Sequence, residues 1–245
     1  MKLTFCNFSL FILLFFLAHL TYAQHNLDDR VYKTYDAIVG QNNTGLYNGT
    51  EFIDLYLNTD GSYRYFKGFD YTKGSVTYKG QYYVGVLLKY DLLEDKLLTQ
   101  SDDNLSVFNV NLIPQFVDSF TIYNHNFVRL AETNLQFSGN AFFEVAYIGK
   151  GLELYIKHSK RKKDKPLKSG IQYKFSESNF YVLKSEGKYS IVNSVKDLRK
   201  ILPQHEDQIK EYYKTYKTRY KSNPSVFMTN LIKYLDAMGT EINQS

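Results

Sequence analysis

Between residues 51 and 192 the chain is a succession of short apolar runs, separated by glycine, asparagine and aspartate. The clearest pair covers 74–78 and 81–91. In the second run Val84, Val86, Leu88 and Tyr90 fall on one face at the two-residue period of a strand. Gly80-Gln81 between the runs supplies the conformational freedom that a tight turn requires. This stretch predicts an antiparallel hairpin at the centre of a β-rich fold.

The other strand-like runs are short and closely spaced, which favours an antiparallel meander. We therefore predict an α+β fold that is mainly β, with the meander curling into a barrel or half-barrel. The runs cover residues 51–57, 62–66, 96–100, 105–113, 115–123, 127–131, 142–158 (kinked at Gly149 and Gly151), 171–175, 179–184 and 188–192.

The apolar period changes to that of a helix after residue 193. Ser194 is placed to cap a first helix, Pro203 ends it and starts a second, and Asn223-Pro224 start a third. The second helix carries an apolar and aromatic stripe, which predicts a packing face: Ile209, Tyr212, Tyr213, Tyr216 and Tyr220. We expect a β domain over 24–192 that begins with an amphipathic helix at 25–39. A helical segment over 193–245 is then packed on this domain or appended to it.

The first 23 residues have the pattern of a secretory signal peptide. Lys2 precedes an apolar run over 8–20, and small residues stand at the positions before a cleavage site after Ala23. The run is shorter than the roughly 20 residues of a membrane anchor. The sequence therefore predicts export to the periplasm or cell surface, with no membrane span after cleavage.

The chain has a single cysteine, Cys6, which lies within the predicted signal peptide. A mature chain without thiols cannot form disulfides, so a packed core must supply its stability. The whole sequence contains 23 tyrosines, 18 phenylalanines and no tryptophan. Strand tyrosines can bury the ring and hydrate the hydroxyl, so this composition fits a sheet with one solvated face.

Charge is unevenly distributed along the chain. Residues 24–150 carry 10 Lys and Arg against 15 Asp and Glu, whereas residues 151–245 carry 19 against 10. A basic C-terminal third suits an anionic lipid surface or an acidic glycan, or simply solubilises the chain, and export argues against nucleic acid. The densest basic run is predicted to be a hairpin loop, either solvated or partner-binding: Lys160, Arg161, Lys162, Lys163, Lys165 and Lys168.

Recognised catalytic and cofactor motifs are missing from the sequence. It has no Gly-x-Ser-x-Gly elbow, no phosphate-binding glycine loop and no cysteine nucleophile. The four histidines after residue 23 never stand two or four apart, which excludes a zinc signature: His25, His125, His158 and His205. His125 is expected in a turn, His158 beside a charged loop and His205 in the first turn of a helix. No cofactor or catalytic residue is therefore predicted.

Four acidic residues are the weak candidates for chemistry. Asp91 and Asp95 flank one turn, and Asp102 and Asp103 lie a strand away. If neighbouring strands bring them together, they could bind calcium through oxygen ligands or act as a carboxylate pair. Because aspartate also favours tight turns, the alternative is a purely structural role.

The order of several short motifs resembles a family of uncharacterised exported proteins of Bacteroidetes. The motifs are LYNG (46–49), GSVTY (74–78), LKYD (88–91) with Asp95, FVRL (127–130), FFE (142–144), YIG (147–149), YVLK (181–184) and GKY (187–189), followed by the helical ending. The resemblance covers nearly all of the mature chain. It implies an exported periplasmic or surface-associated protein of a Gram-negative bacterium, and it implies no activity.

Three functions remain open from the sequence. The first is a non-catalytic binding module of the cell envelope, which docks on an envelope protein or anionic surface through its basic loop and helices. The second is a carrier of a lipid or another apolar ligand, with the 212–220 stripe and the N-terminal helix as a lid. The third is a hydrolase that acts through Asp91 or Asp95.

Overall fold

The computed structural model describes residues 45–101, 108–130, 135 and 141–242. These residues form an eleven-stranded antiparallel sheet, a separate two-stranded ribbon and three C-terminal helices. The predicted fold class is confirmed. The predicted signal peptide and the predicted helix at 25–39 lie outside the described residues.

The main sheet has the strand order β1-β5-β4-β3-β2-β6-β7-β8-β9-β12-β13, and β10 and β11 form the ribbon. The strands are β1 (Thr50–Glu51), β2 (Thr72–Tyr78), β3 (Gln81–Asp91), β4 (Lys96–Gln100), β5 (Asn109–Asn111), β6 (Val117–Ile122), β7 (His125–Arg129), β8 (Phe142–Ile148), β9 (Leu152–Lys157), β10 (Lys160–Leu167), β11 (Gly170–Glu177), β12 (Phe180–Ser185) and β13 (Lys188–Val192). The helices are α1 (Val195–Ile201), α2 (Glu206–Ser222) and α3 (Pro224–Ile242).

The predicted central hairpin is β2–β3. Its turn has positive φ at Lys79 (52°) and Gly80 (75°), as a two-residue hairpin turn of the primed type requires. Gln81, which we predicted to share the turn, pairs with Tyr78 instead. The turn between β12 and β13 uses the same geometry at Glu186 and Gly187.

The main sheet is strongly rolled. Tyr90 on β3 and Lys157 on β9 are five strand intervals apart, which would separate them by about 24 Å in a flat sheet. Yet the Lys157 ammonium lies 3.1 Å from the Tyr90 hydroxyl, and the Tyr90 ring lies 5.2 Å from both Phe120 and Phe127. Among the described strands, β1 and β13 lie at the two ends of the order and do not pair with each other. The sheet is therefore an open half-barrel.

The segment over 52–69 was predicted to contain strands at 51–57 and 62–66, and this prediction is wrong. Beyond Glu51 it joins its neighbours through two isolated bridges, Thr59 with Tyr173 and Tyr65 with Asp91. The segment buries a charged side chain, Arg64, against the end of β3. The alternation of apolar and polar residues in this segment therefore supports ion pairing and ring packing more than the hydrogen bonding of a β ladder.

The predicted basic hairpin loop is also wrong, because the basic run is itself a strand. Lys160 to Leu167 form β10 and pair residue for residue with β11. The turn is at Lys168 and Ser169. The tyrosine and phenylalanine side chains of β11 supply the packing that the lysines of β10 lack.

The Arg64 guanidinium fastens the 52–69 segment to the sheet. Its side chain is 3% exposed, and its nitrogens lie 3.1 Å from Asp91, 3.4 Å from Asp54 and 3.5 Å from Glu94. Its Nε–H is not aligned with an acceptor, so the Asp91 contact is ionic. Burial raises the pKa of Asp91 to about 6, while Arg64 and the backbone N–H groups of Glu94 and Leu93 act to lower it.

Asp236 on α3 fastens the helices to the other half of the sheet. Its carboxylate accepts backbone N–H groups of Lys150, Gly151 and Leu152 at 2.8–3.0 Å, and the Tyr147 hydroxyl at 2.9 Å. A Cβ on Gly149 would lie 2.1 Å from the same carboxylate, so this turn needs a glycine. The hydrogen bonds outweigh burial, which acts to raise the pKa of Asp236, and the net pKa is lowered.

The three helices cover β8, β9, β12 and β13. Ser194 caps α1 as predicted, since its hydroxyl accepts the Asp197 N–H. The predicted aromatic stripe of α2 packs inward: the rings of Tyr212, Tyr213 and Tyr220 all contact Phe227 of α3. Tyr216 is the exception, being 45% exposed beside non-helical backbone angles.

We expect Arg64→Ala to lower the free energy of unfolding by about 3–5 kcal/mol at neutral pH, because it leaves Asp91 buried without a cation. Because removal of Arg64 raises the pKa of Asp91 further, the loss should begin to shrink above pH 6 as the pH falls, and should be smallest where Asp91 is protonated in both proteins. Urea denaturation at several pH values measures both effects. Arg199→Ala, which breaks the exposed pair with Glu206, is the control and should change little. An equal loss in the two variants would contradict this account.

Asp236→Ala should lower the free energy of unfolding by about 3–5 kcal/mol, because three backbone N–H groups lose a charged acceptor. A lowered pKa stabilises the fold above the unfolded value of 3.8, and this stabilisation is lost as the pH falls through the folded pKa. The deficit should therefore be constant near neutral pH and decrease in acid. Thermal unfolding measures it, with the exposed Asp207→Ala on α2 as the control. A deficit that grows in acid would contradict the prediction.

Candidate functional site

A cleft of about 810 Å³ opens between the two parts of the chain that cover the sheet, the 52–69 segment and the C-terminal helices. One wall is the 63–67 stretch, the floor is formed by β8, β9 and β12, and the other wall is the junction of α2 and α3. The side chains that line it carry hydroxyl, amide, imidazole, ammonium and carboxylate groups among apolar ones. Such a concave site with converging polar groups is the usual form of a small-molecule site.

The floor of the cleft holds a carboxylate between two imidazoles. Glu144 Oε1 lies 2.5 Å from Nδ1 of His125, and Oε2 lies 2.5 Å from Nε2 of His158. Three adjacent strands create this arrangement. Glu144 is on β8, His125 begins β7, and His158 directly follows β9.

Lys67 extends the row of hydrogen-bonded groups. Its ammonium contacts Nε2 of His125. Because an ammonium has no lone pair, Nε2 must accept, and the ring proton of neutral His125 must be on Nδ1, where it donates to Glu144. We therefore assign the row as Lys67 to His125 to Glu144, with His158 donating to the second carboxylate oxygen.

The carboxylate at the centre is held in its ionised form. Burial acts to raise the pKa of Glu144, but the hydrogen bonds from His158 and His125 outweigh it, and the pKa is lowered. The Phe66 ring stands edge-on to both imidazoles, with centroids 4.9 Å from His158 and 5.3 Å from His125. The Phe66 ring therefore packs against both imidazoles on one side of the cluster.

The helical wall is built from caps and hydroxyls. Asn223 Oδ1 accepts the Val226 N–H at the start of α3. Ser225 Oγ lies 3.3 Å from the Tyr181 hydroxyl of β12, which links the helix to the floor. The amides of Asn179, Asn193 and Asn230 also line the cleft. A ligand would meet donors and acceptors on this side.

The described hydrogen bonds of the two imidazoles all lie within the cluster. Among the described residues neither imidazole has a serine, threonine or tyrosine hydroxyl as a hydrogen-bond partner, so no activated nucleophile is assembled. Both imidazole protons that contact Glu144 are committed to that carboxylate. What the cluster offers a ligand is a fixed set of charges and hydrogen-bonding groups.

The structure separates the predicted acidic candidates. Asp91 pairs with Arg64, whereas Asp95 stands in a turn at φ 57° and pairs with Lys157 at 2.5 Å. Asp91 also accepts the N–H groups of its own turn, as the structural alternative predicted. Asp102 and Asp103 lie outside the described residues. Where the chain is described, no set of three His, Cys, Asp or Glu side chains, the histidine cluster included, has an arrangement that could hold a metal ion.

Of the predicted basic residues, Lys160 alone lines the cleft. Its ammonium lies 4.1 Å from the centroid of the Tyr63 ring and 2.5 Å from the Tyr63 carbonyl oxygen. The other five lie on the ribbon or in its turn: Arg161, Lys162, Lys163, Lys165 and Lys168.

The histidine cluster was missed from the sequence. His125 and His158 were assigned separate ordinary positions, and their shared partner Glu144 was noticed only within a motif. They are 33 residues apart, and only the strand order brings them together. The one available signal was that polar residues stand at strand positions whose alternation otherwise directs side chains toward the core.

Comparison with protein-family models, with curated proteins and with solved structures finds no match to this chain. None of the helices within the described ranges combines the length and apolarity needed to cross a membrane. The site must therefore be interpreted from its own geometry.

We expect Glu144→Gln to lower the free energy of unfolding by about 1–3 kcal/mol, since an amide cannot accept from both imidazoles equally and carries no charge. The lowered pKa of Glu144 stabilises the fold above 4.5, and this is lost as the pH falls through the folded value. Chemical denaturation across this range measures it. Glu177→Gln at the exposed rim of the cleft is the matched control. A deficit that persists unchanged in acid would contradict the shared-carboxylate geometry.

Proposed function

We propose that the protein is an exported, non-catalytic binding protein of the cell envelope, and that its cleft binds a small polar ligand. One observation carries the proposal. Lys67, His125, Glu144 and His158 form a continuous hydrogen-bonded row on the floor of a cleft of about 810 Å³. Lys67 is exposed, and the other three are partly buried at the surface of the cleft, where their remaining polar atoms face the space that a ligand would occupy.

The lining suits a ligand with several hydroxyl or carboxyl groups. Lys67 and Lys160 offer positive charge at one wall, while the asparagines and hydroxyls of the α2–α3 junction offer neutral donors and acceptors opposite. The rings of Tyr63 and Tyr220 supply flat apolar surface between these groups.

The proposed location rests on the sequence. The first 23 residues have the pattern of a cleaved signal peptide. The motif order that resembles exported Bacteroidetes proteins supports a periplasmic or surface position. We propose the same location for this chain, and it sets the choice of purification below.

The two alternative functions receive less support from the geometry. For an apolar carrier, the rings of Tyr212, Tyr213 and Tyr220 would have to form a lid, and these partly buried rings instead pack on Phe227 of the neighbouring helix. For a hydrolase, Asp91 and Asp95 would have to be free, and each is held in an ion pair.

Native mass spectrometry of protein purified from the envelope of cells expressing the full chain tests the proposal. Wild-type protein should carry a reproducible adduct of small-molecule mass. Asn230→Trp, which fills the cleft from α3, should remove the adduct. Ala237→Trp places the same bulk at an exposed position of the same helix and should retain it. An adduct on all three proteins, or a bare polypeptide mass for all three, would contradict the proposal.

A further inference from the structure

The β10–β11 ribbon has two faces of different character. Directly opposed residues of an antiparallel pair share a face, so the register fixes the two sets. One face carries Lys160, Lys162, Asp164, Tyr173 and Phe175, and it packs on the 52–63 stretch. We call this the inner face, because Tyr56 contacts both Tyr173 and Phe175 at 5.0 and 6.0 Å.

The cations of the inner face are engaged within the protein. Lys162 pairs with Asp164 at 2.9 Å and lies 4.9 and 5.0 Å from the ring centroids of Tyr56 and Tyr173. Lys160 bonds the Tyr63 carbonyl. Lys162 is therefore structural, while Lys160 lies at the end of the ribbon and lines the cleft.

The outer face is almost uniformly positive. It carries Arg161, Lys163, Lys165 and Lys174, all exposed. Lys163 stands directly opposite Lys174, a like-charge pairing that destabilises a ribbon. Within the described residues, Asp60 is the one carboxylate near any of the four, 3.7 Å from Lys174.

The tip of the ribbon is apolar. Leu167 and Gly170 close the Lys168–Ser169 turn, and Leu167 on the outer face and Ile171 on the inner face are 40% and 46% exposed. The Ile171 carbonyl accepts a hydrogen bond from the Asn58 side-chain amide, which places Leu57, 80% exposed, beside the tip. Cations on one face with apolar side chains at the end match the two layers of a lipid surface, headgroup and acyl boundary.

We propose that the outer face and tip of the ribbon bind the surface of a bilayer that contains anionic lipid. The four cations contact the headgroups, and the end of the ribbon, with Leu167 on the outer face and Ile171 on the inner face, enters the acyl boundary. Lysines on an edge strand also prevent strand-to-strand association, but that role does not require Lys174 on the partner strand or an apolar tip. The inference is independent of the cleft, because the ribbon residues that line the cleft, Lys160 and Glu177, are not part of the proposed contact surface.

Vesicle co-sedimentation of protein purified from the envelope of cells expressing the full chain tests the inference. Wild-type protein should bind vesicles of phosphatidylglycerol and phosphatidylcholine, with binding that weakens as salt screens the charges, and should bind pure phosphatidylcholine weakly. The quadruple variant Arg161→Gln, Lys163→Gln, Lys165→Gln, Lys174→Gln should lose about 100-fold or more in partition coefficient. The double variant Leu167→Ser, Ile171→Ser should lose about tenfold with its salt dependence retained.

The matched control removes four cations elsewhere: Lys188→Gln, Lys196→Gln, Lys214→Gln and Lys217→Gln, all exposed. It has the same net charge as the ribbon variant, and it should retain binding within about threefold. Circular dichroism of each variant confirms its folding. Equal losses in the two quadruple variants would show a net-charge effect and overturn the inference. Binding to an acidic polysaccharide such as heparin, without vesicle binding, would overturn it in favour of a glycan.

Discussion

The ion pair between Arg64 and Asp91 holds an irregular segment over half of a rolled sheet, and the arrangement of the molecule follows from it. A sheet that curls so far that β3 meets β9 has a concave side that a single helical layer does not cover. The 52–69 segment covers one part, and α1–α3 cover the other. Asp236 holds the helices to the sheet as Arg64 holds the 52–69 segment. In both cases the charged group binds at the end of a strand.

The cleft is the boundary between these two covers. The described apolar residues form three buried clusters, of which one lies under the 52–69 segment and another under the helices. Phe66 and Leu92 of the first cluster and Ile156 and Tyr181 of the second all line the cleft. Polar side chains are tolerated there because neither cluster excludes water, which is why Glu144 and the two histidines can gather on otherwise apolar strands.

Features that depend on neighbouring residues could be predicted from the sequence. The hairpin β2–β3 and the Ser194 cap follow from local chemistry, and the structure confirms them. The two-residue period of β3 holds from Val86 to Tyr90, but a bulge at Gly85 (φ 74°) places Tyr83 on the buried face where Val84 was predicted. Features that depend on strand order could not. Nothing near Arg64 indicates that it is buried, and nothing near His125 indicates His158. The basic run was wrongly predicted to be a loop for a related reason. Its lysine-rich strand is stabilised by the aromatic side chains of the partner strand, which lie elsewhere in the sequence.

The central claim is that the boundary between the two covers is a preformed binding site centred on Glu144. A crystal structure of the protein purified from the envelope of cells expressing the full chain tests it most directly. The account predicts that Glu144 accepts from both imidazoles, and that non-protein density lies in the cleft within hydrogen-bond distance of the Lys67–His158 row. Side chains that close the cleft, or a Glu144 carboxylate turned away from both imidazoles, would contradict it.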